Sequence, residues 1–177
     1  MAKKKSGDGI NVGVVGSGSF ATAIVKMLTE NCKTIHWCVR NEFVKGAIEL
    51  REKHNPSYLT AVLFNLKQLQ ITTDINELVS ACDVIILATP SIYLGIVPEQ
   101  NDIVAHFLRE KYNIGFRSQA VISGPCHAEE VAMERLSYLT VSAAEEESAA
   151  KVTKLLESDF IKVNKSSDDL EMNTGAV

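Results

Sequence analysis

Apolar positions along this chain follow two rhythms, and each predicts an element. Residues 10–15 are a short apolar run rich in Val and Ile, with SGDG before it and GSG after it. It reads as a buried strand. Ala21, Ile24, Val25 and Leu28 then fall at i, i+3, i+4 and i+7, one face of a helix. The alternation continues. Residues 34–39, with Trp37 among them, predict a second strand, and residues 43–53 a helix. HNPSYL is a loop, with Pro56 as its breaker. Residues 70–72 predict a short strand. DINELVSA opens with Asp74 as N-cap candidate and Glu77 three residues on, the signature of a capping box. Residues 84–88 are continuously apolar, as a parallel strand buried on both faces should be. Residues 103–112 predict a helix, 120–122 and 137–142 strands, 145–156 a helix with Ala149, Val152 and Leu156 on one face, and 161–163 a last strand. Repeated strand–helix units predict an α/β fold: a doubly wound parallel sheet with helices on both faces. The 177 residues suit one domain with a sizeable core.

Between the first strand and the first helix stands Gly16-x-Gly18-x-x-Ala21. A glycine turn without a ligand fits the bare pattern. Strand, glycines and helix in this order favour a dinucleotide fingerprint. Gly16 permits the tight turn, Gly18 lets a pyrophosphate approach the backbone, and Ala21 lets the helix pack on the strand. The N–H groups of the helix's first turn face the anion. In this fingerprint a carboxylate ending the second strand takes the ribose 2′-OH of NAD. Here the strand ends WCVRN, so Arg40 and Asn41 stand in its place, and Glu42 belongs to the following helix. Arginine can stack on adenine and pair with a 2′-phosphate. NADP, or use of both cofactors, is favoured over strict NAD; an ordinary surface arginine is the other reading.

Composition narrows the rest. A hydrophobic content of 46% is that of a globular protein. The net charge of −4 gives no nucleic-acid footprint. Lys3, Lys4 and Lys5 read as a solvated tail. No apolar stretch is long enough for membrane insertion, and the run at 10–15 is too short and glycine-broken for a signal peptide. Cys32, Cys38, Cys82 and Cys126 are scattered, without a CxxC pair. Free thiols in a reducing cytoplasm are the expectation, with no metal site.

Four stretches, in order, carry a family likeness: VGSGSFATAI, HNPSYL, VIILATPS and ISGPCHAEEVA. The chain resembles the bacterial NAD(P)-dependent sn-glycerol-3-phosphate dehydrogenases. The last stretch is the most specific, since residues 123–131 match most of the family form S-G-P-[ST]-F-A-x-E-[VL]. The likeness covers nearly the whole chain but only the cofactor-binding half of the family. It implies a Rossmann-type fold and reduction of dihydroxyacetone phosphate to sn-glycerol 3-phosphate, with hydride from NADPH or NADH, for phospholipid synthesis. It implies cofactor contacts at Ser19 and Phe20 beside Gly16 and Gly18, at Arg40, at Pro90 in the ATPS segment, and at Ala128. It implies contacts with a small phosphate-ester substrate at Gly124 and Cys126. A homodimer is compatible with it.

The chain also departs from the family. Cys126 stands where Ser or Thr is usual, and a thiol is the weaker hydrogen-bond partner. His127 stands where Phe is usual; it is tempting as an acid or base, but the aromatic slot predicts packing. A helix, a strand and a Lys-Gly turn of the family are missing between Leu94 and Gly95. The family's helical C-terminal domain, with its catalytic lysine, has no counterpart before Val177. No catalytic residue is therefore assigned, and the expectation is an inactive cofactor half of an enzyme. Two other readings stay open: a Rossmann reductase of the 3-hydroxyacid or 6-phosphogluconate type, and a dinucleotide-sensing module without chemistry.

Overall fold

The computed structural model describes residues 9–89 and 104–166. The elements are β1 (Val12–Val15), α1 (Ser19–Asn31), β2 (Ile35–Cys38), α2 (Glu42–Gly46), β3 (Leu69–Thr72), α3 (Ile75–Ala81), β4 (Val84–Leu87), α4 (Val104–Tyr112), β5 (Ala120–Ser123), α5 (Ala128–Ala132), β6 (Ser137–Ala143), α6 (Glu146–Leu156) and β7 (Ile161–Ser166). The first four strands form a parallel sheet in the order β3-β2-β1-β4. The chain winds outward from β1 through β2 and β3, then returns to the other side of β1 as β4. This reversal opens a crevice beyond the carboxyl ends of β1 and β4, the topological switch point where ligands of open α/β sheets bind.

A second sheet follows, in the order β5-β6-β7. Its β6–β7 pair is parallel, but β5 runs antiparallel to β6. The parallel, doubly wound expectation is met by the first sheet, and the second adds an antiparallel pair. Apolar periodicity shows which residues are buried, not which way a strand runs.

Helix α1 joins the two sheets. Its predicted face is buried, and so are Thr22, Ala23 and Met27 on its other sides. It packs on β1 and β2 and also against α5 and α6. Asn31 Nδ2 donates to Leu155 O at 3.0 Å and to Glu157 O at 2.7 Å. Lys26 Nζ lies 2.7 Å from Glu134 Oε1, just beyond α5. One apolar cluster therefore runs from Val14 and Trp37 through Leu28 to Val141, Leu156 and Ile161.

Three local expectations are corrected. Strand β4 is not buried on both faces: Ile86 is buried, but Ile85 and Leu87 are 36% and 39% exposed. Among the described residues it pairs only with β1, at the sheet's edge. The predicted helix at 43–53 is α2 followed by a π-helical segment, Ala47–Glu52, which ends at Lys53 with φ 58°. The capping box at α3 does not close. Asp74 Oδ1 accepts from Asn76 N at 2.8 Å, but Glu77 Oε2 accepts from Thr72 Oγ1 at 2.6 Å. Thr72 Oγ1 then takes the Asp74 N–H at 3.0 Å, the bond that Glu77 was expected to make.

Candidate functional site

The loop of residues 16–18 leaves β1 at the switch point, and its two glycines are required for different reasons. Gly16 has φ 131°, and a Cβ there would lie 2.4 Å from Ala88 O. Both conformation and the approach of β4 demand glycine. Gly18 has an ordinary φ of −81°, and a Cβ there would meet nothing within 4 Å. Its missing side chain leaves open space above the backbone. Gly18 is also the N-cap of α1 and lacks a side-chain cap. The first intrahelical bond is Thr22 N to Gly18 O at 3.0 Å. The amides of Ser19, Phe20 and Ala21 precede it and find no acceptor among the described residues.

Other expected residues gather at the same sheet edge. Phe20 projects from the first turn of α1 and is 51% exposed. Arg40 follows β2, exposed and without an ion-pair partner among the described residues. Asn41 is engaged instead as N-cap of α2, its Oδ1 accepting from Val44 N at 3.0 Å. Glu42 does lie in α2, where it takes the Thr73 hydroxyl. Thr89, next after Ala88, has a buried hydroxyl without a partner among the described residues. Open space above Gly18, unpaired amides around it and a buried unpartnered hydroxyl beside Gly16 together fit a bound phosphate-bearing ligand. Pro90 lies outside the described residues, as does the junction of Leu94 and Gly95.

The segment from β5 to α5 is shaped by packing. A Cβ on Gly124 would stand 2.6 Å from Tyr138 O, so glycine is required for the approach of β6 whatever it binds. Cys126 is half-buried; burial pushes its thiol pKa up, and the Glu130 carboxylate adds to this. It is a neutral thiol rather than a ready nucleophile. His127 does not pack. It is exposed at the N-cap of α5 and caps nothing with its side chain. As N-cap, His127 precedes the first turn and stays outside the face that α5, with buried Ala128 and Val131, packs on α1. Ala128 is buried, and α5 packs on α1, which brings this segment to the helix that carries the glycine loop.

Sequence reasoning missed the residues behind the loop: Thr22, Trp37 and Asn55, each wholly buried. The only signals were a hydroxyl beside the apolar face of a helix, a tryptophan in a strand and an asparagine in the HNPSYL loop. Among the described residues no group of three His, Cys, Asp or Glu side chains could hold a metal ion. No helix among them is long and apolar enough to cross a membrane.

Known proteins are similar to this chain in sequence and fold. Residues 11–109 match the family described as NAD-dependent glycerol-3-phosphate dehydrogenase N-terminus. Glycerol-3-phosphate dehydrogenase [NAD(P)+] of Oceanobacillus iheyensis is 27% identical over 187 residues, covering 93% of this chain and 53% of its own. That of Latilactobacillus sakei is 27% identical over 195 residues, covering 94% and 56%. The chain thus spans about half the length of the curated relatives it matches. In fold it is similar to glycerol-3-phosphate dehydrogenase of Plasmodium falciparum, with TM-score 0.83, 20% identity and coverage of 97% and 57%. The Coxiella burnetii enzyme gives TM-score 0.79 at 16% identity, with coverage of 93% and 56%. An imine reductase from Bacillus cereus is more distant, with TM-score 0.56, 14% identity and coverage of 93% and 56%. A family match over more than half of the residues, on a strand, glycine loop and helix of the required geometry, assigns the chain: it belongs to the family of the NAD-dependent glycerol-3-phosphate dehydrogenase N-terminus.

Proposed function

We propose that this chain binds NADPH or NADH and is the cofactor-binding part of a dehydrogenase that interconverts dihydroxyacetone phosphate and sn-glycerol 3-phosphate. The observation that carries it is the loop itself: Gly18 stands under open space at the uncapped head of α1. The bound cofactor supplies hydride. The chain's residues would hold it in place. Gly16, Gly18 and the amides of Ser19 and Phe20 receive the pyrophosphate. The exposed Phe20 ring and Arg40 flank it, and Arg40 offers a cation to a 2′-phosphate. Thr89 Oγ1 has a hydrogen bond to give. Ala128 adds a buried small residue beside α1, and Gly124 and Cys126 face the substrate side. In the longer protein, reduction to glycerol 3-phosphate would feed phospholipid synthesis in the cytoplasm, and a homodimer is compatible with this role.

Titration calorimetry of the chain with NADPH and NADH tests the reading. NADPH should bind at least as tightly as NADH. Gly18→Val puts a branched side chain into the open space and should abolish binding while the melting temperature holds. Arg40→Asp removes a cation and adds repulsion, and should move preference toward NADH. Unchanged NADPH affinity in Gly18→Val would sink the site.

A further inference from the structure

The three carbonyls of the glycine loop all point into the protein, and each is taken by a different buried side chain. Trp37 Nε1 donates to Gly16 O at 2.7 Å. Asn55 Nδ2 donates to Ser17 O at 3.0 Å. Thr22 Oγ1 donates to Gly18 O at 2.8 Å. The side chains are also linked to one another. The second Asn55 N–H reaches Thr22 Oγ1 at 2.9 Å, whose own proton is committed to Gly18. Asn55 Oδ1 accepts from Ser57 N at 2.9 Å, which fixes the orientation of its amide. Thr22, Trp37 and Asn55 are each 0% exposed.

The geometry of the peptide turns this into a statement about the ligand. No peptide bond here is cis, and in a planar trans peptide C=O and N–H point in opposite directions. Holding the carbonyls of Gly16, Ser17 and Gly18 inward therefore turns the N–H groups of Ser17, Gly18 and Ser19 outward. None of these three amides has an acceptor among the described residues. Successive outward amides form a concave anion receptor. Gly18 O is also held by the helical Thr22 N–H at 3.0 Å, but without Trp37 and Asn55, and without the Thr22 hydroxyl that orients Asn55, the carbonyls of Gly16 and Ser17 would be free to rotate toward solvent and carry their amides away.

We infer that Asn55 and Thr22, with Trp37, are positioning residues that preorganise the loop amides for a pyrophosphate-bridged dinucleotide. The inference rests on the proposed dinucleotide reading and adds to it the residues that shape the receptor. Asn55 belongs to the HNPSYL segment, so that segment acts as a strut behind the loop.

The test uses the 177-residue chain, with NADPH and with adenosine 2′-monophosphate, which lacks the pyrophosphate. Thr22→Val keeps the shape of the side chain and removes the hydroxyl; Asn55→Ala removes the strut; Thr22→Ser restores the hydroxyl. Thr22→Val and Asn55→Ala should each lose about tenfold or more in NADPH affinity, the effect of one lost aligned interaction. Thr22→Ser should stay within about threefold of the parent. The nucleoside monophosphate should bind all forms alike, and amide exchange of residues 17–19 should quicken in the weakened variants. NADPH affinity unchanged in folded Thr22→Val overturns the inference, and so does equal loss for both ligands, which would mark general loosening. Should Asn55→Ala fail to fold, Thr22→Val and Thr22→Ser decide. A parent chain that binds no NADPH overturns the dinucleotide reading itself, and this inference with it.

Discussion

At the scale of single residues, the two glycines of the loop should fail in opposite ways when replaced. Gly16 sits at φ 131° with Ala88 O where a Cβ would go. Gly16→Ala combines a strained backbone with a clash against main chain, which cannot move aside as a flexible side chain would. We expect a stability loss of at least about 2 kcal/mol, read as a lower urea midpoint with an unchanged slope. Full stability in Gly16→Ala would contradict the close approach of β4. The Cys126 thiol gives a second measurement. Burial disfavours its thiolate, so its folded pKa lies above the ordinary value of about 8.5. The proton is thus held more tightly in the folded state. The stability linked to it is intact below the ordinary value and is lost as pH climbs through the raised one. Alkylation by iodoacetamide at pH 7.5 should be slower at Cys126 than for a free thiol, and its rate should climb to a midpoint above the ordinary value. Peptide mass spectrometry gives that rate; a midpoint at or below about 8.5 would contradict the assignment.

At the scale of elements, α1 carries both the binding loop and the joint between the two sheets, so its packing ought to dominate stability. Leu28 is wholly buried between them. Leu28→Ala should cost about 2–5 kcal/mol, the range for a buried leucine whose cavity only partly collapses. Lys26→Met should cost about 1 kcal/mol or less, because Glu134 is half exposed and surface pairs contribute little. Denaturant titration of the two variants checks the ranking, and equal losses would mean that α1 is not the central contact. This helix was also the most legible part of the chain. Ala21, Ile24, Val25 and Leu28 predicted its buried face, and β1 with its glycines predicted where it starts. What periodicity hides is set by partners distant in sequence. Ile85 and Leu87 look as buried as Ile86 until the edge position of β4 is known. Glu77 is a different case: its competitor, Thr72, is only five residues away, and periodicity does not show which of two nearby hydrogen bonds forms. The struts at Trp37 and Asn55 were invisible because their partners are distant in sequence: only the fold shows that their donors meet carbonyls of residues 16 and 17.

At the scale of the whole molecule, the chain spans about half of the dehydrogenases it resembles, for instance 53% of the Oceanobacillus iheyensis protein. On the proposed reading, the described residues provide a dinucleotide receptor and one wall of a site. Carbonyl reduction needs more: a proton donor within hydrogen-bond reach of the oxygen that becomes a hydroxyl. The groups near α5 do not meet that need, since Cys126 is a thiol with a raised pKa and His127 is exposed at a helix cap. Losing one positioned donor to a developing oxyanion costs about 10²–10³ in rate. We therefore expect NADPH to bind to the 177-residue chain without measurable oxidation when dihydroxyacetone phosphate is added, while the longer Oceanobacillus iheyensis relative turns over under the same conditions. Loss of absorbance at the nicotinamide band reads both. Turnover by the chain at the relative's rate would show that its own residues supply the donor, and His127 would then be the first side chain to replace. Tight NADPH binding without turnover would instead separate the two tasks, with the glycine loop and its buried struts receiving the cofactor and the proton arriving from residues outside this site.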